Sequence, residues 1–322
     1  MKILISGSTG LIGSAAADAL GRAGHTVSRL VRPETAARAS APKPGEPAFG
    51  APVRWDPVAG DFDAQAAEGA DAVVHLAGAS IGDGRWSDRR KRLLYTSRVD
   101  ATRHLVRALA GLRRPPRVLV AASAIGYYGD RGDEQLTEES APGNDFLAGL
   151  ARDWEAESAR AAGFGARVAM LRFGVILSRH GGALPRMLLP FRFGAGGRLG
   201  SGRQWMSWIA LGDAIGALRF ALEHDAARGA VNAVAPNPVR NREFTKALGR
   251  ALHRPALFPA PAFALRLALG EMADALLLSS QRVLPGKLGA LGYSFQFSTL
   301  SPALDAALRN AAVKLPSEPS KL

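Results

Sequence analysis

The sequence predicts an α/β protein: a Rossmann-type, doubly wound parallel sheet with a smaller mixed α/β C-terminal substrate region. Three observations carry that expectation. Apolar strand-like runs alternate with helical patterns through the first half, as βαβ units require. A glycine-spaced turn, "GSTGLIG", joins the first run to the first helix. Runs such as "VLVAAS" are almost continuously apolar, which suits a sheet covered on both faces.

Taken in order, Lys2–Ser6 is a strand and Leu11–Ala23 a helix, followed by a second strand at Thr26–Val31. Pro42–Pro57 is rich in Pro and Gly and reads as a loop around a short strand at Val53–Trp55. "DAVVHLA" (Asp71–Ala77) is a fourth, buried strand; a long helical pattern covers Asp88–Leu112 and stops before Pro115. Arg117–Ser123 is the fifth strand, Phe146–Ala162 a helix opened by a Pro-Gly-Asn-Asp turn, and Arg167–Phe173 the sixth strand. Beyond Ser178 the chain becomes glycine-rich and loop-like, with helical runs at Leu211–His224, Asn241–Leu252 and Ala260–Leu278. The expected division is a dinucleotide-binding domain over 1–177, a C-terminal substrate domain over 178–312 that returns in places to the first, and a disordered tail at 313–322.

Composition narrows the function. With 322 residues, 47% of them hydrophobic, the chain can bury a large core. It has no cysteine, which excludes disulfides, thiolate metal sites and cysteine nucleophiles. Of its 41 Lys and Arg, 7 are Lys and 34 Arg, giving a formal charge of +13. These cations are scattered without interleaved aromatics, so an anionic small ligand is a better use of them than nucleic acid. The N-terminus opens like a signal peptide, but Gly7, Gly10 and Gly13 interrupt its apolar run, and no stretch is long enough to span a bilayer. The expectation is a cytoplasmic protein that works on an unidentified small molecule, with no nucleic acid, membrane or metal involved and with a homodimer admitted.

The turn after the first strand has a defined chemistry. Gly7 permits a tight turn, Gly10 lets the backbone approach a pyrophosphate, and Gly13 lets the helix pack against the strand. Thr9, Leu11 and Ile12 complete the cradle, where the helix N-terminus offers free N–H groups to phosphate. The second strand ends "VSRLVRPE", with Arg32 rather than an acid just past its end. A cation there suits the 2′-phosphate of NADP(H), so NAD(H) is the less favoured cofactor.

"GSTGLIG", "DAVVHLAGAS" and "VLVAASAIGYYGD" together resemble the extended short-chain dehydrogenase/reductase superfamily, in its nucleotide-sugar epimerase and dehydratase branch. Gly84–Trp86, Ser97–Thr102, Gly126–Asp130, Leu189–Gln204 and Gly270–Pro285 resemble more closely one atypical epimerase-like subfamily with its own C-terminal domain. Some members of it carry the label cell-division inhibitor, for which these residues offer no physical support. The resemblance implies a nicotinamide cofactor lined by Leu76, Ala77 and Gly78, by Ala122 and Ser123, and by Gly174, Val175 and Ile176. It also sets Arg98, in "RVDAT", where relatives usually carry Asn; a guanidinium there suits ribose or phosphate.

The same resemblance exposes a gap. Catalytic relatives use a Tyr four residues before a Lys, with a Ser or Thr after the fifth strand. Here the Tyr and Lys positions fall on Phe146 and Leu150, or Leu147 and Ala151, and the Ser/Thr position on Ala124. Ala210 stands where a related pattern has His, while Trp208 and Asp213 remain. Ser123, Tyr127, Tyr128 and Asp145 are left as candidate catalytic residues, although Asp145 also suits a helix cap. Arg85, Arg192, Arg203 and Trp208 are candidates for an anionic or nucleotide-sugar substrate. Two functions follow: an NADP(H)-dependent oxidoreductase or epimerase-like enzyme, or a non-catalytic NADP(H)-binding redox sensor or partner-binding protein.

Overall fold

A computed structural model describes residues 1–36 and 49–309. Its centre is a seven-stranded sheet in which every neighbouring pair is parallel. The strands are β1 (Lys2–Ser6), β2 (Thr26–Val31), β3 (Val53–Arg54), β4 (Ala72–His75), β5 (Val118–Ala124), β7 (Arg167–Phe173) and β11 (Gly229–Ala233), in spatial order β11-β7-β5-β4-β1-β2-β3. The remaining strands are short: β6 (Gln135–Leu136) pairs with β13 (Arg282–Val283), β8 (Val175–Leu177) with β10 (Trp208–Ala210), and β9 (Trp205–Met206) with β12 (Val239–Arg240).

Order reverses at β1, which has β2 on one side and β4 on the other, so a crevice opens beyond their carboxyl ends. The sheet strands are buried almost throughout, and one apolar layer lies on each face. One layer holds α1 (Leu11–Arg22), whose Leu20 packs with Leu218 and Leu222 from a helix at Leu211–Glu223. That helix and β11 lie past residue 177, so the chain returns to the main sheet after leaving it.

Several expected elements differ in detail. Asp88–Leu112 is helical to Ala110, but Thr96–Asp100 forms a π-turn inside it. The expected helix over Ala260–Leu278 breaks at Gly270, whose φ of +63° cannot continue an α-helix. The pieces are Ala262–Leu269, Glu271–Ala273 and a π-turn at Asp274–Leu278. A helix at Leu184–Arg192 stands where the sequence read as loop. Pro185 sits in its first turn, where a missing N–H costs nothing, and Pro190 comes near its end. Trp55 leaves its strand to bridge Phe62. The expected disordered tail and residues 42–48 of the Pro-rich loop lie outside the described residues. Among the described residues no helix is long and apolar enough to cross a membrane.

Candidate functional site

The turn after β1 is closed so tightly that only glycine fits. Gly7 adopts φ +67°, and a Cβ on it would lie 2.7 Å from the Leu76 carbonyl carbon. A Cβ on Gly13 would lie 2.1 Å from the Gly7 oxygen. Gly10 donates to that same oxygen at 3.0 Å, which folds the turn back on itself. Gly10 then serves as the helix N-cap without a side-chain acceptor, while Thr9 and Gly10 are exposed and Leu11 and Ile12 half-buried. The first helical N–H groups therefore face outward with no capping oxygen, a concave donor set for an anion.

Across the crevice, the Ser6 hydroxyl accepts from the Leu76 and Ala77 N–H groups at 3.1 and 3.3 Å and fixes the turn after β4. Ser6 is in turn paired with His75, which bridges to Thr102. His75 is fully buried, and desolvation pulls its pKa down to about 4. It is a neutral core residue beneath the site.

Arg98 comes from the π-turn and lies against Gly78, its guanidinium carbon 3.3 Å from where a Cβ on that glycine would stand. It donates to the Ala79 and Leu94 carbonyls and sits 5.4 Å over the Trp154 ring. Among the described residues no carboxylate pairs with it, and burial, then the neighbouring Arg90, lowers its pKa to about 10. Arg90 donates to the Ser80 carbonyl, and its Nε has no hydrogen-bond partner among the described residues. Two cations thus converge under the Leu76–Ser80 turn. The sequence reading missed Arg90; its signal was a basic helix start ("SDRRKR") directly after that turn. Arg32 lies just past β2, within electrostatic range of Asp56.

The residues after β5 form a different system. Ser123 donates to Glu155 at 2.6 Å, and Arg172 forks the same carboxylate with two contacts of 2.8 Å. Arg172 also donates to the Tyr128 hydroxyl at 2.8 Å, and that hydroxyl donates to Asn232 at 2.7 Å. Tyr128 is fully buried, and desolvation pushes its pKa up to about 12. Ser123 and Tyr128 therefore hold β5, β7, β11 and the helix at Phe146–Ala159 together. Tyr127 is half-buried and presents its ring face to Arg172, 3.5 Å from the guanidinium carbon. Asp145 caps that same helix, accepting from Ala148 N–H at 2.8 Å. Of the two residue pairs the resemblance sets at the relatives' Tyr and Lys positions, Phe146 with Leu150 or Leu147 with Ala151, Phe146 has Trp86 packed edge-on to it and the Lys91 ammonium 5.1 Å from its ring centroid.

A cavity of about 1080 Å³ adjoins these strand ends, lined among others by Ile125 and Val175 and by residues of the C-terminal helices. Of the four expected substrate residues, Arg85 lines it. The other three do not line it: Arg192 and Arg203 are exposed, and Trp208 is fully buried in the C-terminal core, where its indole donates to the Asn237 carbonyl. Ala122 is buried beneath the end of β5. Gly174 is glycine because a Cβ would lie 2.6 Å from the Ser207 oxygen; it leads into Val175, on the cavity wall, and Ile176 in β8. Asp213 has a structural use: it accepts from the Gln296 and Phe297 N–H groups and so clamps the C-terminal segment. Among the described residues no cluster of His, Asp or Glu is arranged to hold a metal ion.

Residues 3–234 match the profile of the NAD dependent epimerase/dehydratase family, and residues 260–307 match a domain of unknown function. An epimerase family protein of Mycobacterium leprae is 41% identical over 305 residues, covering 95% of each chain. The crystal structure of the human epimerase family protein SDR39U1 (isoform 2) with NADPH superposes with a TM-score of 0.85 at 34% identity, over 96% of this chain and all (100%) of that one. A nucleoside-diphosphate sugar epimerase of Corynebacterium glutamicum gives a TM-score of 0.70 at 36% identity, over 96% of this chain but 58% of its own.

Proposed function

The chain belongs to the NAD dependent epimerase/dehydratase family, and from that premise we propose that it binds NADP(H) in the crevice at β1 and β4 and acts as an oxidoreductase or epimerase-like enzyme on a small molecule in the adjoining cavity. The observation that carries this reading is the junction at Ile125 and Val175: the cavity meets the protein where β5 and β7 end, the edge at which open α/β sheets hold their ligands.

The residues present fit a dinucleotide. Gly7 and Gly13 leave open a backbone cradle that any Cβ would fill, and the uncapped start of α1 suits a pyrophosphate. Arg98 and Arg90 add charge under the β4 turn, with no carboxylate against Arg98 among the described residues. Arg32 is assigned to the 2′-phosphate, in keeping with the NADPH in the human relative's structure. Leu76 to Gly78, Ala122, Ser123 and Gly174 to Ile176 line the crevice chiefly through backbone. NADP(H), when bound, supplies or accepts a hydride. The chain's own task is to orient the reacting carbon, exclude water and move a proton. Ser123, Tyr128 and Asp145 already hold hydrogen bonds in the fold. Tyr127, whose contacts are through its ring, is the side chain assigned to the proton.

A second reading, a non-catalytic NADP(H)-binding protein, is favoured by one observation: neither residue pair that the resemblance sets at the family's proton-transfer positions, Phe146 with Leu150 or Leu147 with Ala151, can move a proton. Titration with NADPH followed by a turnover panel of carbonyl compounds and nucleotide sugars separates the two. Cofactor oxidation with any substrate, abolished by Tyr127→Phe, supports the enzyme; tight NADPH binding with no turnover across the panel supports the sensor.

A further inference from the structure

We infer that the cavity takes a long apolar molecule carrying a single anionic group, rather than a nucleotide sugar. The inference rests on the reading above, in which this cavity is the substrate site.

Its walls are the first argument. Met187 and Phe191 face it from Leu184–Arg192, Phe244 and Leu248 from Asn241–Ala251, and Met272 and Leu277 from the broken C-terminal helix. Phe258 also lines it while 62% exposed, so the apolar wall continues to the mouth, beside exposed Leu257.

The polar groups are the second argument. A sugar needs many convergent donors and acceptors, and a site built for hydroxyls keeps those groups available. Here four of them, Asn241, Ser207, Ser279 and Gln281, are already committed. Asn241 accepts from Leu199 N–H, and Ser207 donates to the Gln281 carbonyl. Ser279 donates to the Ala275 carbonyl, and the Gln281 amide to the Gly129 carbonyl. Burying sugar hydroxyls against these walls would leave them unpaired, which is costly.

The cations are the third argument. Arg179 donates to the Leu308 carbonyl, and Arg186 is held by Gly82 and Asp83. Arg85, by contrast, lines the cavity beside Gly270 and makes no ion pair or hydrogen bond among the described residues. It offers one uncommitted positive charge on the wall of an apolar chamber, which matches a carboxylate-headed chain.

The test is calorimetric titration of NADPH-saturated protein, and of the cofactor-free chain, with straight-chain carboxylates from hexanoate to dodecanoate and with UDP-glucose. Binding is expected to tighten roughly fourfold for each added methylene, as burial of apolar surface dictates, and UDP-glucose is expected not to saturate. Met187→Glu should flatten that dependence without changing NADPH affinity. Leu276→Glu, at a more exposed position on the same wall, makes the same test if the first variant fails to fold. Arg85→Ala should weaken every chain length by the same factor, roughly two- to fivefold. Affinity independent of chain length, or UDP-glucose binding tighter than dodecanoate, overturns the inference. A chain that binds no NADPH overturns the cofactor reading instead, and the cofactor-free titration still decides this one.

Discussion

The Ser123 hydroxyl donates to the Glu155 carboxylate at 2.6 Å, and Arg172 grips that same carboxylate through two nitrogens. The polar residue at the end of β5 is thereby tied into an ionic core that joins three sheet strands to a helix. An ionic network this deep is costly to break at one member, because the partner is left charged and buried.

Arg172→Met is expected to destabilise the fold by about 3–5 kcal/mol, since it strands Glu155 in the interior. Adding Glu155→Leu to it should recover part of that loss. Urea denaturation of the two variants against the parent checks this; equal stability of Arg172→Met and parent would contradict it.

The two adjacent tyrosines should separate cleanly. Tyr128→Phe removes a hydroxyl that bridges Arg172 and Asn232, and is expected to cost about 1–3 kcal/mol. Tyr127→Phe keeps the ring over Arg172 and should stay within about 0.5 kcal/mol of the parent. Thermal and urea melts of both variants measure the contrast, and a larger loss at Tyr127 would reverse the assignment.

Glycine substitutions in two helices should differ in sign. Gly13→Ala drives a Cβ to 2.1 Å from the Gly7 oxygen, so both NADPH affinity and stability should fall. Gly149, in the helix at Phe146–Ala159, has nothing within 4 Å of an added Cβ and no positive φ, so Gly149→Ala should stabilise by roughly 0.5–1 kcal/mol. Paired denaturation curves with NADPH titrations read both.

Stability should fall in mild acid through His75. The fold holds this imidazole neutral, with a pKa of about 4 against an ordinary 6.5. Between those values the unfolded chain binds a proton that the folded chain refuses. The contribution is complete above pH 6.5 and declines by about 3 kcal/mol as pH falls toward 4. His75→Gln should flatten that part of the stability–pH curve; an unchanged slope would contradict the assignment.

Much of this was legible in the sequence because it is local. The Gly7, Gly10 and Gly13 spacing states a backbone geometry, and the apolar runs of β1, β4, β5 and β7 state a two-sided sheet. The Asp145 cap was also readable, because a cap acts within one turn of its own residue. What escaped needed contacts far apart along the chain. Arg172, which pairs with Glu155, carries no local signal until β5, β7 and their helix meet. Trp208 reads as a substrate candidate beside an arginine- and glycine-rich stretch, yet its partners come from the C-terminal core. The helix at Leu184–Arg192 was hidden by prolines placed where a helix tolerates them. The cavity wall combines loop, helix and C-terminal residues that no single motif links, so its apolar character was not visible from the arginines that flank it in sequence.

The central claim is that the β1 crevice of this chain is an NADP(H) site. Titration with NADPH and with NADH at one fixed ionic strength, read by the fluorescence of the reduced nicotinamide, tests it most directly. NADPH is expected to bind at least about tenfold more tightly, the worth of a charge-assisted hydrogen bond to its extra phosphate, and Arg32→Ala should erase the difference. Equal or tighter binding of NADH, or binding of neither, would contradict the account.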